Sequence, residues 1–302
     1  VLVADLDDEA LRRTLAGAGL GVRVGPFTLR LTSAQPVLAR SLRLLYGPNP
    51  IAPAGSFIDF HIGVGPPAGL RRWVRPRIRF TLDGVAPFWP APPAHVAPLF
   101  EWGLNWCIVT EAHRYLMLHA AAIERDGHVA ILPGEPGSGK STLCAALVNR
   151  GWRLLTDEIT MISLDGRQIT PLARPVSLKN ASIEVIRRFA PEAVLSPPVE
   201  GTSKGTVALM RAPEASIRRM AESARPRWVI FPKYVKDAPA TLVPETRGRT
   251  LIALGDAGFN YSIHGRRGFE ALANLVEDSA CFRFSYGHLD DAVAAFAALP
   301  SP

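Results

Sequence analysis

Along residues 1–95 apolar and polar positions alternate in short stretches, Val22-Arg23-Val24, Phe27-Thr28-Leu29-Arg30-Leu31 and Phe57-Ile58-Asp59-Phe60-His61-Ile62, each broken by glycine or proline. A period of two is that of a strand with one buried face, so residues 1–95 are expected to form a small β-rich domain, with substrate recognition as its candidate role. A proline-rich segment from Pro87 to Pro98 then sets the domain boundary, and Leu99 to Leu116 carries a helix-compatible apolar pattern with Trp102, Trp106 and Ile108. From Leu116 on, compact apolar runs alternate with amphipathic ones. Strands are expected at Leu116–His119, Val129–Leu132, Leu154–Thr156 and Trp228–Phe231, and helices near Ser141–Arg150, Ala181–Arg188, Phe269–Asp278 and Leu289–Leu299. Strands alternating with helices predict an α/β core over residues 96–302.

One strand–helix junction carries chemistry. Gly134-Glu135-Pro136-Gly137-Ser138-Gly139-Lys140-Ser141-Thr142 lies between the apolar run Val129–Leu132 and the helical run from Thr142 to Val148. Glycines in such a loop allow positive-φ turns at Gly134, Gly137 and Gly139 and bring backbone N–H groups close to phosphate oxygens, while the helix N-terminus adds its positive end. Lys140 is suited to neutralise the outer phosphates and the Ser141 hydroxyl to join the shell of a Mg²⁺ ion. The alternative is a glycine-rich turn with an incidental lysine.

Seventeen positions after Lys140, a short strand ends in Asp157-Glu158. That interval holds one helix and one strand, so the acidic pair neighbours the loop. Two carboxylates at a strand tip can hold Mg²⁺ and accept a proton from an attacking hydroxyl; the plain alternative is a turn cap. His119, read as the end of the strand before the loop, is a candidate contact to the transferred phosphoryl group, or else a core or edge histidine.

Composition narrows the class. The 302 residues are 48% apolar, enough for a packed core, with no run near the roughly 20 apolar residues of a membrane helix. Asp5, Asp7, Asp8 and Glu9 do not suit a signal peptide, so the cytoplasm is the expected compartment. Cys107, Cys144 and Cys281 lack metal-ligand spacing and read as buried thiols. The net charge of +7 is mostly dispersed arginine, so no nucleic-acid partner is expected. Arg75, Arg77 and Arg79 alone form a stripe, fit for an acidic peptide or simply for solvent. Against that arginine excess there are five lysines, at 140, 179, 204, 233 and 236. Lys179 and Lys204 sit in segments read as Ser/Asn/Gly/Thr-bearing loops, where a compact ammonium suits a phosphoryl group in transit. Arg174 is a further candidate cation, and a solvent-facing turn is the alternative for all three.

His119-Ala120-Ala121-Ala122-Ile123, Gly127, the loop Gly134–Thr142 and the run from Leu147 through Arg150-Gly151 to Asp157-Glu158 resemble the catalytic core of bacterial HPr kinase/phosphorylase, above all its divergent branch, HprK-related kinase A. The resemblance covers roughly residues 115–300 and is specific over the first forty or so. It implies the kinase core shared with phosphoenolpyruvate carboxykinase, with Asp157 as base at an acceptor serine and His119, Lys140, Ser141 and Glu158 at the family's functional positions. Arg174–Asn180 and Thr202–Val207 resemble segments of the same branch. Ala120 stands where the parent family has glycine and Glu158 where it has a second aspartate. The downstream glycine-rich signature that accompanies phosphorylase activity is not found, so the resemblance does not carry that activity.

The sequence therefore leads to an expected function: transfer of the γ-phosphoryl group of ATP, with Mg²⁺, to a hydroxyl, foremost a serine of a peptide or small carrier protein. Catalytic candidates are Asp157, His119, Lys140, Lys179 and Lys204; Gly134 to Thr142 bind the nucleotide; Ser141, Asp157 and Glu158 hold the metal. A homo-oligomer and a peptide-binding partner protein are also expected from the family. A small-molecule alcohol kinase and a non-catalytic nucleotide- or nucleic-acid-binding module stay open as alternatives.

Overall fold

The computed structural model describes residues 1–67 and 76–299. The arginine stripe falls partly outside these: Arg75 lies beyond the described residues, Arg77 is exposed and Arg79 opens a strand. The first four strands, β1 (Leu20–Val24), β2 (Phe27–Thr32), β3 (Phe60–Gly65) and β4 (Arg79–Leu82), form one sheet in that order. β2 and β3 run parallel and the other pairs antiparallel. The alternation read from the sequence is the burial pattern of these strands: Leu20, Val22, Val24, Leu29, Leu31, Ile62, Val64 and Phe80 point inward.

Two helices were not expected in this part. α1 (Asp8–Ala16) begins at Asp7, whose carboxylate accepts the Ala10 N–H at 2.7 Å, and buries Leu11 and Leu15. α2 (Pro36–Tyr46) has proline in its first turn and buries Leu38, Leu42 and Leu45 at helical spacing. α3 (Val96–Glu111) starts inside the proline-rich segment, because a proline in the first helical turn lacks only an N–H that would be unpaired anyway. One core joins these elements. It takes in Leu104, Cys107 and Ile108 of α3 and continues to Met117, Met161, Leu172 and Leu209 far along the chain.

The remainder is built on a large mixed sheet. After α3 come β5 (Leu116–Arg125), β6 (His128–Pro133), α4 (Lys140–Val148), β7 (Arg153–Thr156), β8 (Ile159–Ile162) and β9 (Ile169–Thr170). β10 (Val176–Lys179), α5 (Ala181–Phe189), β11 (Val199–Thr202), β12 (Gly205–Met210) and α6 (Glu214–Arg218) follow. The chain closes with β13 (Arg225–Tyr234), β14 (Thr241–Pro244), α7 (Arg247–Asp256), α8 (Tyr261–His264), α9 (Arg266–Glu277), β15 (Ala280–Tyr286) and α10 (Leu289–Ala297). The sheet order is β14-β15-β13-β6-β5-β8-β9, with β7 also on β5, and β10, β12 and β11 form a separate three-stranded sheet.

Both faces of the large sheet are covered, as its continuous apolar strands require. Ala121, Ile123, Ala130, Leu132 and Ile230 pack under α4, α5 and α10, while Ala120, Ala122, Val129, Ile131 and Val229 pack against α7 and α9. The α/β class expected from the sequence is thus observed. β5 is longer than expected, running on through Ala120-Ala121-Ala122. Alanine is a weak strand former in the open, but here small side chains are needed between β6, β7 and the overlying helices.

Candidate active site

The chain leaves β6 at Pro133 and enters α4 at Lys140. Gly137 and Gly139 both have φ of 88°, a region favourable mainly to glycine. Gly134 does not share that conformation, contrary to expectation; a Cβ there would meet Ser138 Oγ at 2.6 Å, a contact that rotation of the serine hydroxyl relieves. Gly139 is confined twice over, because a Cβ would also lie 2.5 Å from the Tyr286 hydroxyl. The loop carbonyls are held from the sheet side: Tyr234 N–H donates to Ser138 O at 2.9 Å and the Tyr286 hydroxyl to Gly139 O at 3.0 Å. The first N–H groups of α4, at Lys140, Ser141 and Thr142, have no acceptor within the helix.

β5 brings the remaining groups to this loop. Ala120 pairs with Pro133 on one side and His119 with Ile159 on the other, so His119 stands between the start of the loop and the residue after Glu158. His119 is not at the strand's end but within it. By the period of two it shares a face with Met117 and Ala121, which belong to two different cores, and the site lies between those cores. The segment after α7 continues the line of β6: His119 N–H donates to Ala257 O at 2.8 Å and Phe259 N–H to Met117 O at 2.9 Å. This sets the Phe259 ring 5.6 Å from the His119 ring. Burial, then Lys140, lowers the imidazole's proton affinity, with Lys179 and Lys204 adding to the effect and Glu158 opposing it.

Lys140 and Asp157 are both buried. Burial lowers the pKa of Lys140 despite Asp157 and Glu158 nearby. Burial also pushes Asp157 up to about 6, against the pull of Lys140, the Ser177 N–H and the Ser141 hydroxyl. The Ser177 N–H lies 3.2 Å from Asp157 Oδ2. Ser138 Oγ, Lys140 Nζ, Asp157 Oδ1 and Ser177 Oγ are buried with no hydrogen-bond partner. A buried polar atom left unpaired costs roughly 1–3 kcal/mol, so four around one loop mark a place shaped for a polar ligand.

Glu158 is more open, its side chain 30% exposed, with Oε1 3.7 Å from Lys204 Nζ and Oε2 accepting from Asn105 Nδ2 at 2.8 Å. Burial raises its pKa, but Lys204, Arg174, Lys179 and His119 together bring it below the usual carboxylate range. Lys204 sits in the β11–β12 turn, where Thr202 Oγ1 accepts the Lys204 N–H at 3.1 Å, and Lys179 is the last residue of β10 rather than a loop residue. The small sheet therefore delivers both lysines to the site.

Arg174 is neither solvent-facing nor free. Its guanidinium is buried, 2.7 Å from Glu101 Oε2 and 2.6 Å from Asn105 Oδ1, and although burial disfavours the charge, Glu101 and Tyr46 raise its proton affinity further. Glu101 and Asn105 lie one turn apart on α3 and were not singled out in the sequence. The signal was there: a glutamate and an asparagine at i and i+4 in a helix otherwise apolar from Val96 to Cys107.

The structure thus gathers His119, Lys140, Ser141, Asp157, Glu158, Lys179 and Lys204 around the Gly134–Thr142 loop. Three lysines outnumber the two carboxylates, so the place favours an anion. Among the described residues no group of three His, Cys, Asp or Glu side chains is placed to hold a metal. Mg²⁺ beside phosphates needs only one or two carboxylates, and Ser141, Asp157 with its unpaired Oδ1, and Glu158 fit that donor set. Among the described residues no helix is long and apolar enough to cross a membrane.

No protein-family model matches the chain, and no curated protein does. Among solved structures, the Hpr(Ser) kinase/phosphatase from Coxiella burnetii aligns over 61% of this chain and 96% of its own, at 13% identity and a TM-score of 0.26. At that score the likeness establishes neither a shared fold nor a shared activity.

Proposed function

We propose that the chain is a phosphotransferase that moves the γ-phosphoryl group of ATP to a hydroxyl, with serine of a peptide or small carrier protein as acceptor and Mg²⁺ as the metal. The observation that carries this reading is the set of four buried, unpartnered polar atoms, Ser138 Oγ, Lys140 Nζ, Asp157 Oδ1 and Ser177 Oγ, about a loop whose glycine geometry leaves no room for a side chain at Gly139. A nucleotide's phosphates and their metal would satisfy them. The serine acceptor, a homo-oligomeric state and a peptide-binding partner rest on the sequence resemblance alone.

In this reading the N–H groups of the loop and of the first turn of α4 hold the phosphates, and Lys140 offsets charge between the outer two. Ser141, Asp157 and Glu158 would hold Mg²⁺, which neutralises charge developing on the phosphate oxygens. Asp157 would take the acceptor's proton as its oxygen bonds to phosphorus and ADP departs. His119, Lys179 and Lys204 line the phosphoryl group's path and stabilise its charge.

The test is transfer of label from γ-labelled ATP to candidate peptides and proteins, with Asp157→Asn alongside. The variant should bind nucleotide and lose at least about a hundredfold in rate, the usual worth of a positioned base. Undiminished turnover in Asp157→Asn would reject the mechanism, and label found only on a small alcohol would reject the acceptor class.

A further inference from the structure

A chain of hydrogen bonds, buried at Tyr46, Glu101 and Arg174 and part-buried at Asn105, runs from the first sheet's helices into the site. The Tyr46 hydroxyl on α2 donates to Glu101 Oε1 at 2.6 Å. Glu101 takes Arg174 through Oε2 at 2.7 Å and through its backbone oxygen at 3.1 Å. Arg174 donates onward to Asn105 Oδ1 at 2.6 Å, and Asn105 Nδ2 donates to Glu158 Oε2 at 2.8 Å.

The direction of each bond is fixed by chemistry. A guanidinium only donates, so Arg174 forces the carbonyl end of the Asn105 amide toward itself and the NH₂ end toward Glu158. A carboxylate there only accepts. The amide cannot flip without breaking two charge-assisted hydrogen bonds at once. Glu158 is also the one acidic group of the site with three side-chain torsions and substantial exposure, so its position is not set by packing.

We infer that Asn105 is a positioning residue for Glu158: the Arg174-oriented amide clamps Oε2, so that Oε1, paired among the described residues with Lys204 alone, is the oxygen that turns toward the Gly134–Thr142 loop. This rests on the nucleotide reading above and extends it to a residue outside the loop and the acidic pair. Asn105 touches neither nucleotide nor acceptor in this scheme; it acts through the carboxylate. Lys204, 3.7 Å from Oε1, marks the side on which that oxygen is available.

The experiment measures binding of a fluorescent, non-hydrolysable ATP analogue across a Mg²⁺ titration, together with thermal melting. Asn105→Ala should raise the half-saturating Mg²⁺ concentration by about tenfold or more, the usual effect of removing a partner that orients a metal ligand, and leave Mg²⁺-free binding of the analogue unchanged. Asn105→Ser, which keeps a polar group near Arg174 but cannot reach Glu158, should give the same shift and guards against a folding defect in the alanine variant. Tyr46→Phe removes a bond at the far end of the chain and should lower the melting temperature without moving the Mg²⁺ curve. An unchanged Mg²⁺ curve in both Asn105 variants, or an equal shift in Tyr46→Phe, would overturn the inference while leaving the nucleotide reading intact. A wild-type protein with no Mg²⁺-dependent binding would overturn both.

Discussion

Lys140 and Asp157 are 8% and 7% exposed, and neither Lys140 Nζ nor Asp157 Oδ1 has a hydrogen-bond partner within the protein. Two charges so placed cost the folded chain stability, and each cost has a measurable sign.

For Asp157 the folded pKa of about 6 lies above the ordinary carboxyl value of 3.8. The folded state therefore binds the proton more tightly, and the associated stability is complete below pH 4 and lost as pH rises through 6. Two pKa units correspond to about 3 kcal/mol. In metal-free buffer, the stability of wild type relative to Asp157→Asn should fall by about that amount between pH 4 and pH 7. Denaturant unfolding at the two pH values checks it, and a difference independent of pH would mean that Asp157 is not held in this environment.

Lys140 has a lowered pKa, so folding is opposed by its ammonium. At pH 5, where Asp157 is mostly protonated and needs no counter-charge, Lys140→Met should stabilise the nucleotide-free protein by about 1 kcal/mol, a usual gain when a functional residue is traded for stability. Under the proposed function Mg²⁺-ATP raises the melting temperature of wild type, and the same variant should lose that rise. Thermal scans with and without nucleotide read both effects.

Gly137 and Gly139 share a φ of 88° but not their surroundings. A Cβ at Gly137 meets nothing within 4 Å, whereas at Gly139 it meets the Tyr286 hydroxyl at 2.5 Å and Tyr234 Cβ at 2.9 Å. Gly137→Ala should cost about 1–2 kcal/mol of backbone strain, and Gly139→Ala clearly more because a clash is added. Equal losses in urea melts would show that the tyrosines yield to the new methyl group.

The buried Arg174–Glu101 pair sets a third contrast. Arg174→Met leaves the Glu101 carboxylate without its cation and should destabilise by about 3–5 kcal/mol, whereas adding Glu101→Leu should recover most of the loss. The double variant separates a charge penalty from lost packing; no recovery would assign the cost to packing.

Much of the site was legible because it is local. The Gly134–Thr142 loop needs only its own glycines and flanks, and the interval from Lys140 to Asp157 leaves room for one helix and one strand between them. Lys179 and Lys204 were singled out by their rarity among arginines, although their arrival at Glu158 depends on the β10–β12 pairing, which no local pattern encodes. For Arg174 the solvent-facing alternative falls, because tertiary packing supplies Glu101 and Asn105, which no local pattern encodes. The expected strand stops at His119, whereas β5 runs on through Ala120–Ala122, where small side chains suit a crowded sheet. α1 and α2 were overlooked beside the alternating strands, although Asp7, the Leu11–Leu15 spacing and Pro36 all announced them.

The first core has a consequence for how the molecule is made. Leu29, Leu31 and Phe80 share it with Val207 and Leu209, residues that leave the ribosome much later. At ordinary rates of synthesis that delay is on the order of ten seconds. During it the nascent sheet presents an unfinished apolar surface. Shielding by chaperones thus matters more for this early part of the chain than its position ahead of the Gly134–Thr142 loop suggests, and that loop is itself translated before the sheet behind it is closed.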